Sequence, residues 1–584
     1  MELIYFTGPC IFYAIKILKI REDVHGGNLL SIRRNFPESS GQLEFFVKEK
    51  ETMSAENWIE RCRKYTFLDA DSAFQVNFAG MNFQDGELAV LADKFVNVHA
   101  EMQKIESGAI KNPDEKRKVT HFTDRAVYPE NEEFKEVEEF VEAVRTGAVK
   151  GATGERFDSV IVNGIGGSAL GPQLVQMAIN GPYWNELTAE KRRNYLKVYF
   201  LDNTDTAGVN DVLAVCNLAS TIVVNISKSG GTQETKNNMI ACMNAYQAAG
   251  IDFAAHACAI TMSGSELDKL ARSGKWLKVF EMADSIGGRT SVTSIVGHLP
   301  AALAGVDFKS FLAGACHMDN LTRESSLEKN PAYMLAAMWY LAGNGKGDRN
   351  MVIVPYSDRL ILMSRYLQQL VMESLGKELD LDGKTVHQGL NVFGNKGGTD
   401  AHAFIQQLND GRDDFFVTFI EILRDSQAVQ IASGIGMGDY LHGFLTGLSN
   451  ALRGKGRNVI EMRLDKVNEY NLGMLIALYE RAVAAYAELI HINAFHQPGV
   501  QAYKLASKGV IKLLTEVGSK LADLDGFTGT SHDFAVKLNC QENEYELDGI
   551  LAKLSVNNDT RDLAFKIERT ADGQGVWNYK IVRK

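Results

Sequence analysis

Residues 220–235, STIVVNISKSGGTQET, join an unbroken β-branched run to a turn of small polar residues and then to a helix-patterned segment. An apolar run without polar alternation reads as a strand buried on both faces, as in a parallel sheet. The turn holds Ser227, Lys228, Ser229 and Thr232 around Gly230-Gly231, and Met239, Cys242, Met243 and Tyr246 follow at one-face helical spacing. Strand, turn and helix make one βα unit, and ligands of open α/β sheets lie beyond the carboxyl ends of the strands. Backbone N–H groups and the positive helix end face such a turn. With the hydroxyls and the lysine they suit the oxygens of a phosphate monoester. A purely structural turn would not need Lys228.

The same texture recurs on both sides. SVIVNGIGG (159–167), KVYFLDN (197–203) and ACAITMSG (257–264) accompany the opening run, with helix-length segments between them. MVIVPYSD (351–358), FFVTFIEI (415–422) and NVIEMRL (458–464) repeat the alternation. The expected fold class is therefore α/β, with two doubly wound parallel-sheet α/β/α sandwich lobes at 151–320 and 321–510. Residues 53–150 read as a helical N-terminal region. Residues 511–584 read as a small C-terminal α+β extension of helices and a hairpin turning at DGQG.

Composition sets outer limits. The chain has 584 residues, 45% apolar, enough for two to four domains with sizeable cores. Its net charge of −11, with both signs interspersed, argues against nucleic acid or an anionic membrane as partner, although a local basic pocket can still take an anion. Seven cysteines without a C-x-x-C pair point to core thiols in a reducing, cytoplasmic compartment rather than to a disulfide framework or a cysteine zinc site. The first twenty residues are apolar but short for a membrane span, and Glu2 stands where a signal peptide is basic. Residues 1–52 are read as an extension or a misplaced start, with Met53 beginning a more ordinary region in which Ser54 caps a helix.

Other loops carry candidate chemistry. Residues 164–169 form G-x-G-x-x-A, but a dinucleotide site expects an acid about 20 residues on, and Asp202 comes 33 residues after Ala169. A nicotinamide cofactor is accordingly not expected, and the missing Walker motif weighs against nucleoside triphosphates. GGRTSVTS (287–294) leaves the Arg289 fork, beside two glycines, open to receive an oxyanion. In YLQQLVMESLGKELD (366–380), Gln369 and Glu373 share a helix face among apolar neighbours, which would raise the glutamate toward a base's working range. His402 follows a glycine-rich turn, and Gln497 and Lys504 flank a Pro-Gly turn. Taken alone, each of these also fits a salt bridge, a structural histidine or a solvated lysine. His491 and His496 lie five apart, off the i, i+4 spacing of a metal pair, and no metal is expected.

Taken together and in order, GIGGSALGP, SKSGGTQET, GGRTS, QQLVMESLGK, GGTDAHAF and FHQPGVQAYK resemble the glucose-6-phosphate isomerase (phosphoglucose isomerase) family over about residues 160–505. The resemblance implies two SIS-type sugar-isomerase lobes, a sugar-phosphate substrate, no cofactor, and a homodimer whose sites borrow residues from the partner. It implies Ser227, Lys228, Ser229 and Thr232 as the phosphate loop and Gly167 and Ser168 as a sugar-contacting turn. Glu373 then carries the proton between C2 and C1, Arg289 faces the enediolate, and Gln369 and Gln497 position the substrate. His402 and Lys504 open the sugar ring, with Glu234 orienting the histidine. Thr290, His496 and Gln501 depart from the family pattern. Two alternatives stay open: a sugar-phosphate sensor without catalysis, and an isomerase that also accepts mannose 6-phosphate.

Overall fold

Largely buried strand runs organise the two main lobes around two large sheets. In the first lobe Ser159–Asn163, Lys197–Leu201, Thr221–Ile226, Ala257–Thr261 and Lys278–Glu281 form a five-stranded parallel sheet. Thr221–Ile226 is buried at every residue, with Ser159–Asn163 on one side and Ala257–Thr261 on the other. Four of these strands were legible as apolar runs. The fifth, KVFE, is too short and too charged to stand out.

The structure is a computed structural model that describes residues 55–584. The expectations for 1–52, for a start at Met53 and for a cap at Ser54 lie outside the described residues. Trp58–Lys584 forms one unit.

The second lobe departs from the expected purely parallel sheet. Asn350–Tyr356, Phe415–Ile422, Asn458–Leu464 and Val392–Phe393 pair in parallel, but the antiparallel hairpin Thr66–Asp69 and Phe74–Asn77 adds to the edge of Asn458–Leu464. The region 53–150, read as helical, thus contributes two strands to a lobe almost 400 residues further on (Asn77 pairs with Glu461). Its alternation is genuine: Phe74 and Val76 are buried between half-exposed Gln75 and Asn77. Each strand has only four residues, which helix-like flanks conceal in the sequence.

Helices cover the sheets. Glu469–Leu489 is buried at every residue from Asn471 to Ala487, a mostly apolar helix packed on all faces. It packs along Phe308–Leu321 and Pro331–Ala342. A buried ionic cluster pins this centre: Arg125 spans Asp319 and Glu480 at 2.6 Å each, and Arg481 reaches Asp319 at 2.5 Å. Such a cluster adds little net stability but leaves an uncompensated charge if one member is lost. The C-terminal part has its own core of Leu521, Phe534, Leu551, Tyr579 and Ile581, over the sheet Thr528–Gly529, Trp577–Arg583 and Phe565–Ala571. The six described cysteines are all unpaired, three of them buried.

Candidate active site

Several of the loops singled out in the sequence, GIGGS, GGRTS, QQLVMES and FHQPG, converge beside the carboxyl ends of the first-lobe strands. Gly167 opens the helix Gly167–Ile179 after Gly166, whose φ of +58° suits glycine. A Cβ on Gly167 would stand 1.8 Å from the Gly288 carbonyl oxygen, so only glycine lets the GIGGS and GGRTS turns touch. The Ser291 hydroxyl donates to the Gly167 carbonyl across this junction at 3.3 Å. Gly166 also faces Gln369: a Cβ there would lie 3.0 Å from the amide nitrogen. Ser168, next in the same helix, is half-buried.

Glu373 ends a π-helical segment, Gln368–Glu373, within the helical run that begins at Met363. Such widened turns are rare and recur at functional sites. One carboxylate oxygen lies 3.2 Å from Arg289 Nη1, and the other accepts from Gln369 Nε2 at 3.0 Å. Its apolar neighbours Leu370, Val371 and Leu375 are buried in the core, so the carboxylate meets a guanidinium and an amide rather than the apolar surroundings expected from sequence. Arg289 is itself buried. Its guanidinium also donates to the Ala494 carbonyl at 2.8 Å and to Gln497 Oε1 at 3.4 Å, joining the GGRTS and FHQPG segments. Burial lowers its pKa from the ordinary value, against the opposing pull of Glu373.

Groups not picked out from sequence complete this cluster. Lys377 is buried and donates to the carbonyls of Glu373 and Ser374 at 2.7 and 2.8 Å. Burial, helped by the charge of Arg289, pushes its pKa down to about 7. The hairpin Ile110–Asn112 and Arg117–Lys118 supplies Asp114, Glu115 and Arg117. Asp114 accepts from His496, which ties the hairpin to the FHQPG segment. Glu115 accepts from Gln497 at 3.2 Å and pairs with Arg117 at 2.9 Å. Thr290 is buried, its hydroxyl turned to the Gly287 carbonyl, whereas Gln501 is exposed. In the sequence, the nearest signal for Lys377 was its spacing of four from Glu373, and the hairpin residues gave none.

The hydroxyl-rich turn is formed as expected, with one correction. Ser227 donates to the Thr232 hydroxyl at 3.2 Å, and the Ser229 hydroxyl accepts the Gly231 N–H at 3.2 Å. Thr232 precedes the helix Gln233–Ala248 without capping it by its side chain, so the first N–H groups of the helix have no side-chain cap. Lys228, however, does not aim its ammonium into the turn. It pairs with the Asp284 carboxylate at 3.1 Å and donates to the carbonyls of Asp284 and Ile286, because a half-buried cation settles on the nearest oxygens. Burial and the nearby Arg117 lower its pKa. Lys228 therefore braces the turn against the segment leading into Arg289.

Three expected residues stay apart from this cluster. Glu234 is half-buried in the first turn of Gln233–Ala248, His402 is exposed in the short turn Thr399–His402, and Lys504 is half-buried in the helix Pro498–Leu521. Among the described residues, none of their side chains makes a hydrogen bond or ion pair.

Two α/β lobes, parallel apart from the antiparallel hairpin at the edge of the second, meet at this cluster, and similarity to known proteins makes the chain an isomerase. Residues 83–462 match the family model for phosphoglucose isomerase. A glucose-6-phosphate isomerase from Citrifermentans bemidjiense is 44% identical over 513 residues, covering 86% of this chain and 95% of that protein. One from Trichormus variabilis is 46% identical over 478 residues, covering 80% and 89%. The solved glucose-6-phosphate isomerase from Chlamydia trachomatis matches with a TM-score of 0.69 at 27% identity, over 78% of this chain and 91% of that one. The chain belongs to the phosphoglucose isomerase family.

Proposed function

We propose that the chain interconverts D-glucose 6-phosphate and D-fructose 6-phosphate, a step of glycolysis and gluconeogenesis, with Glu373 moving the proton between C2 and C1. The observation that carries this reading is the Glu373 carboxylate held between Arg289 and Gln369 where the two lobes meet. A C–H next to a carbonyl is weakly acidic, and a positioned carboxylate contributes about 10²–10⁴-fold as general base. As the proton leaves, negative charge moves to the substrate oxygen. Arg289, fixed from behind by the Ala494 carbonyl, is preorganised to receive it. Gln369 and Gln497 orient the chain of the sugar, and the Gly167-Ser168 turn faces its hydroxyls.

The phosphate sits in the turn formed by Ser227, Ser229 and Thr232, over the uncapped start of Gln233–Ala248. Lys228 holds that turn in place rather than meeting the anion with its ammonium. Because the phosphate is remote from the reacting carbons, its binding energy orients the substrate for the chemical step.

Ring opening falls to His402 and Lys504, with Glu234 orienting the imidazole. Because these groups have no hydrogen-bond or ion-pair partner among the described residues, the reading includes a homodimer in which one copy's His402 completes the other copy's site. Exposed apolar side chains at Met437, Tyr440 and Phe444, and at Tyr503 and Ile511, support an interface between copies. No described helix is long and apolar enough to cross a membrane, and the assigned compartment is the cytoplasm.

The test is direct. Purified protein mixed with fructose 6-phosphate should yield glucose 6-phosphate in a coupled assay, and Glu373→Gln should abolish that yield while leaving the fold intact. A folded Glu373→Gln protein with near-full turnover would refute the base assignment. A protein that binds 6-phosphates without turnover would instead be a sensor.

A further inference from the structure

Lys377 is a buried cation, and among the described residues no carboxylate forms a salt bridge with it. It follows the helix that ends with Glu373, Ser374 and Leu375, and only Gly376 intervenes. The last carbonyls of a helix lack partners within it, and a π-helical turn shifts their alignment further. Here the Gly376 N–H takes the Met372 carbonyl at 2.8 Å. The Lys377 amino group takes the next two, Glu373 and Ser374. Main chain and side chain of Glu373 are thus fixed from opposite ends, by Lys377 below and by Arg289 and Gln369 above.

We propose that Lys377 is a positioning residue for the proton-transferring carboxylate, and that its amino group both fixes the end of that helix and places a removable positive charge beside the Arg289–Glu373 pair. This rests on the reading of Glu373 as the base. The charged groups acting on Lys377 are Arg289, from the turn Gly288–Thr293, and Glu373, from the preceding helix. Across the hairpin, the neutral Gln388 pairs with it.

The two jobs separate with pH. An amine that has lost its proton still carries two N–H groups for two carbonyls, so the geometry survives while the charge disappears. While Glu373 is ionised it sits between two cations. Once it takes the substrate's proton, the compensating negative charge lies on the substrate oxygen, and both cations then favour that state. Since burial and Arg289 bring Lys377 to about 7, its charge is present below that pH and lost above it. Turnover should accordingly fall on the alkaline side of neutrality, with substrate binding little changed.

The experiment compares the full-length enzyme with Lys377→Met and Lys377→Arg, measuring kcat and KM for fructose 6-phosphate from pH 5.5 to 9.5, with melting temperatures alongside. Lys377→Met should lower kcat about ten-fold with KM within about two-fold, since the interaction counts mainly in the transition state. It should also lose the limb near neutrality. Lys377→Arg keeps its proton throughout and should move that limb up by at least about one pH unit. An unchanged limb in Lys377→Arg, or unchanged kcat in a folded Lys377→Met, would overturn the proposal. If neither variant folds, the unmodified enzyme decides: the midpoint of the limb should shift strongly with temperature, as amines do, and a temperature-insensitive limb would overturn it. Glu373→Gln keeps the two readings apart. Turnover surviving there removes the base assignment, whereas an inactive Glu373→Gln with indifferent Lys377 variants removes only the role of Lys377.

Discussion

The two halves of the proposed site, one for proton transfer and one for ring opening, are built differently. The proton-transfer half is assembled within one chain: Glu373, Arg289, Gln369 and Gln497 are linked by contacts of 3.0–3.4 Å and backed by Lys377 and the 110–118 hairpin. The ring-opening half, Glu234, His402 and Lys504, stands at or near the surface with its side chains unpaired among the described residues. The contrast teaches that preorganisation is concentrated where charge develops. In the proposed reading, the groups that act earlier, on the closed sugar, are brought together by the substrate and a second copy of the chain.

The largest expected effect comes from breaking the assembled half. Glu373→Gln should cut kcat by about 10²- to 10⁴-fold with an unchanged melting temperature, in a coupled assay with calorimetry. Next, Arg289→Lys keeps the charge but loses the planar fork, and should lower kcat by about 10²-fold. A loss under three-fold would show that the fork is not part of the transition state.

The unassembled half is sharpened by mixing. If His402 serves the partner's site, refolding Glu373→Gln together with His402→Ala should restore about a quarter of the native activity, because half of random dimers are mixed and each has one intact site. No recovery would place both residues in the same chain's site. The smallest effects come from the junction of the two turns. Gly167→Ala should destabilise by about 1–3 kcal/mol and reduce activity, since its Cβ meets the Gly288 carbonyl. Gly288→Ala has open space around its Cβ and should stay within about 0.5 kcal/mol of the native protein by denaturant titration.

What was legible in the sequence follows the same division. Strands buried on both faces write themselves as unbroken β-branched runs, and the turn proposed to hold the phosphate stands out by four polar residues beside two glycines. The hairpin at 66–77 was hidden because four-residue strands carry little periodicity. The approach of Arg289 to Glu373 spans 84 positions and leaves no local trace, so its removal of the glutamate from apolar surroundings could not be read from neighbours such as Leu370 and Val371. The resting place of Lys228 on Asp284 and Ile286 was hidden for a related reason: residue type marks a cation near a candidate anion site, but not which oxygens it will choose.

The hairpin Thr66–Asn77 also bears on how the molecule is made. It is synthesised early, yet the strand it joins, Asn458–Leu464, leaves the ribosome hundreds of residues later. The first lobe, whose strands all fall between 159 and 281, can close on nearby partners in the meantime. Assembly from the amino end is therefore interrupted, and the earliest strands are among the last to find their place. Deleting 66–77 would leave Asn458–Leu464 as a bare edge, open to pairing with other molecules during biogenesis.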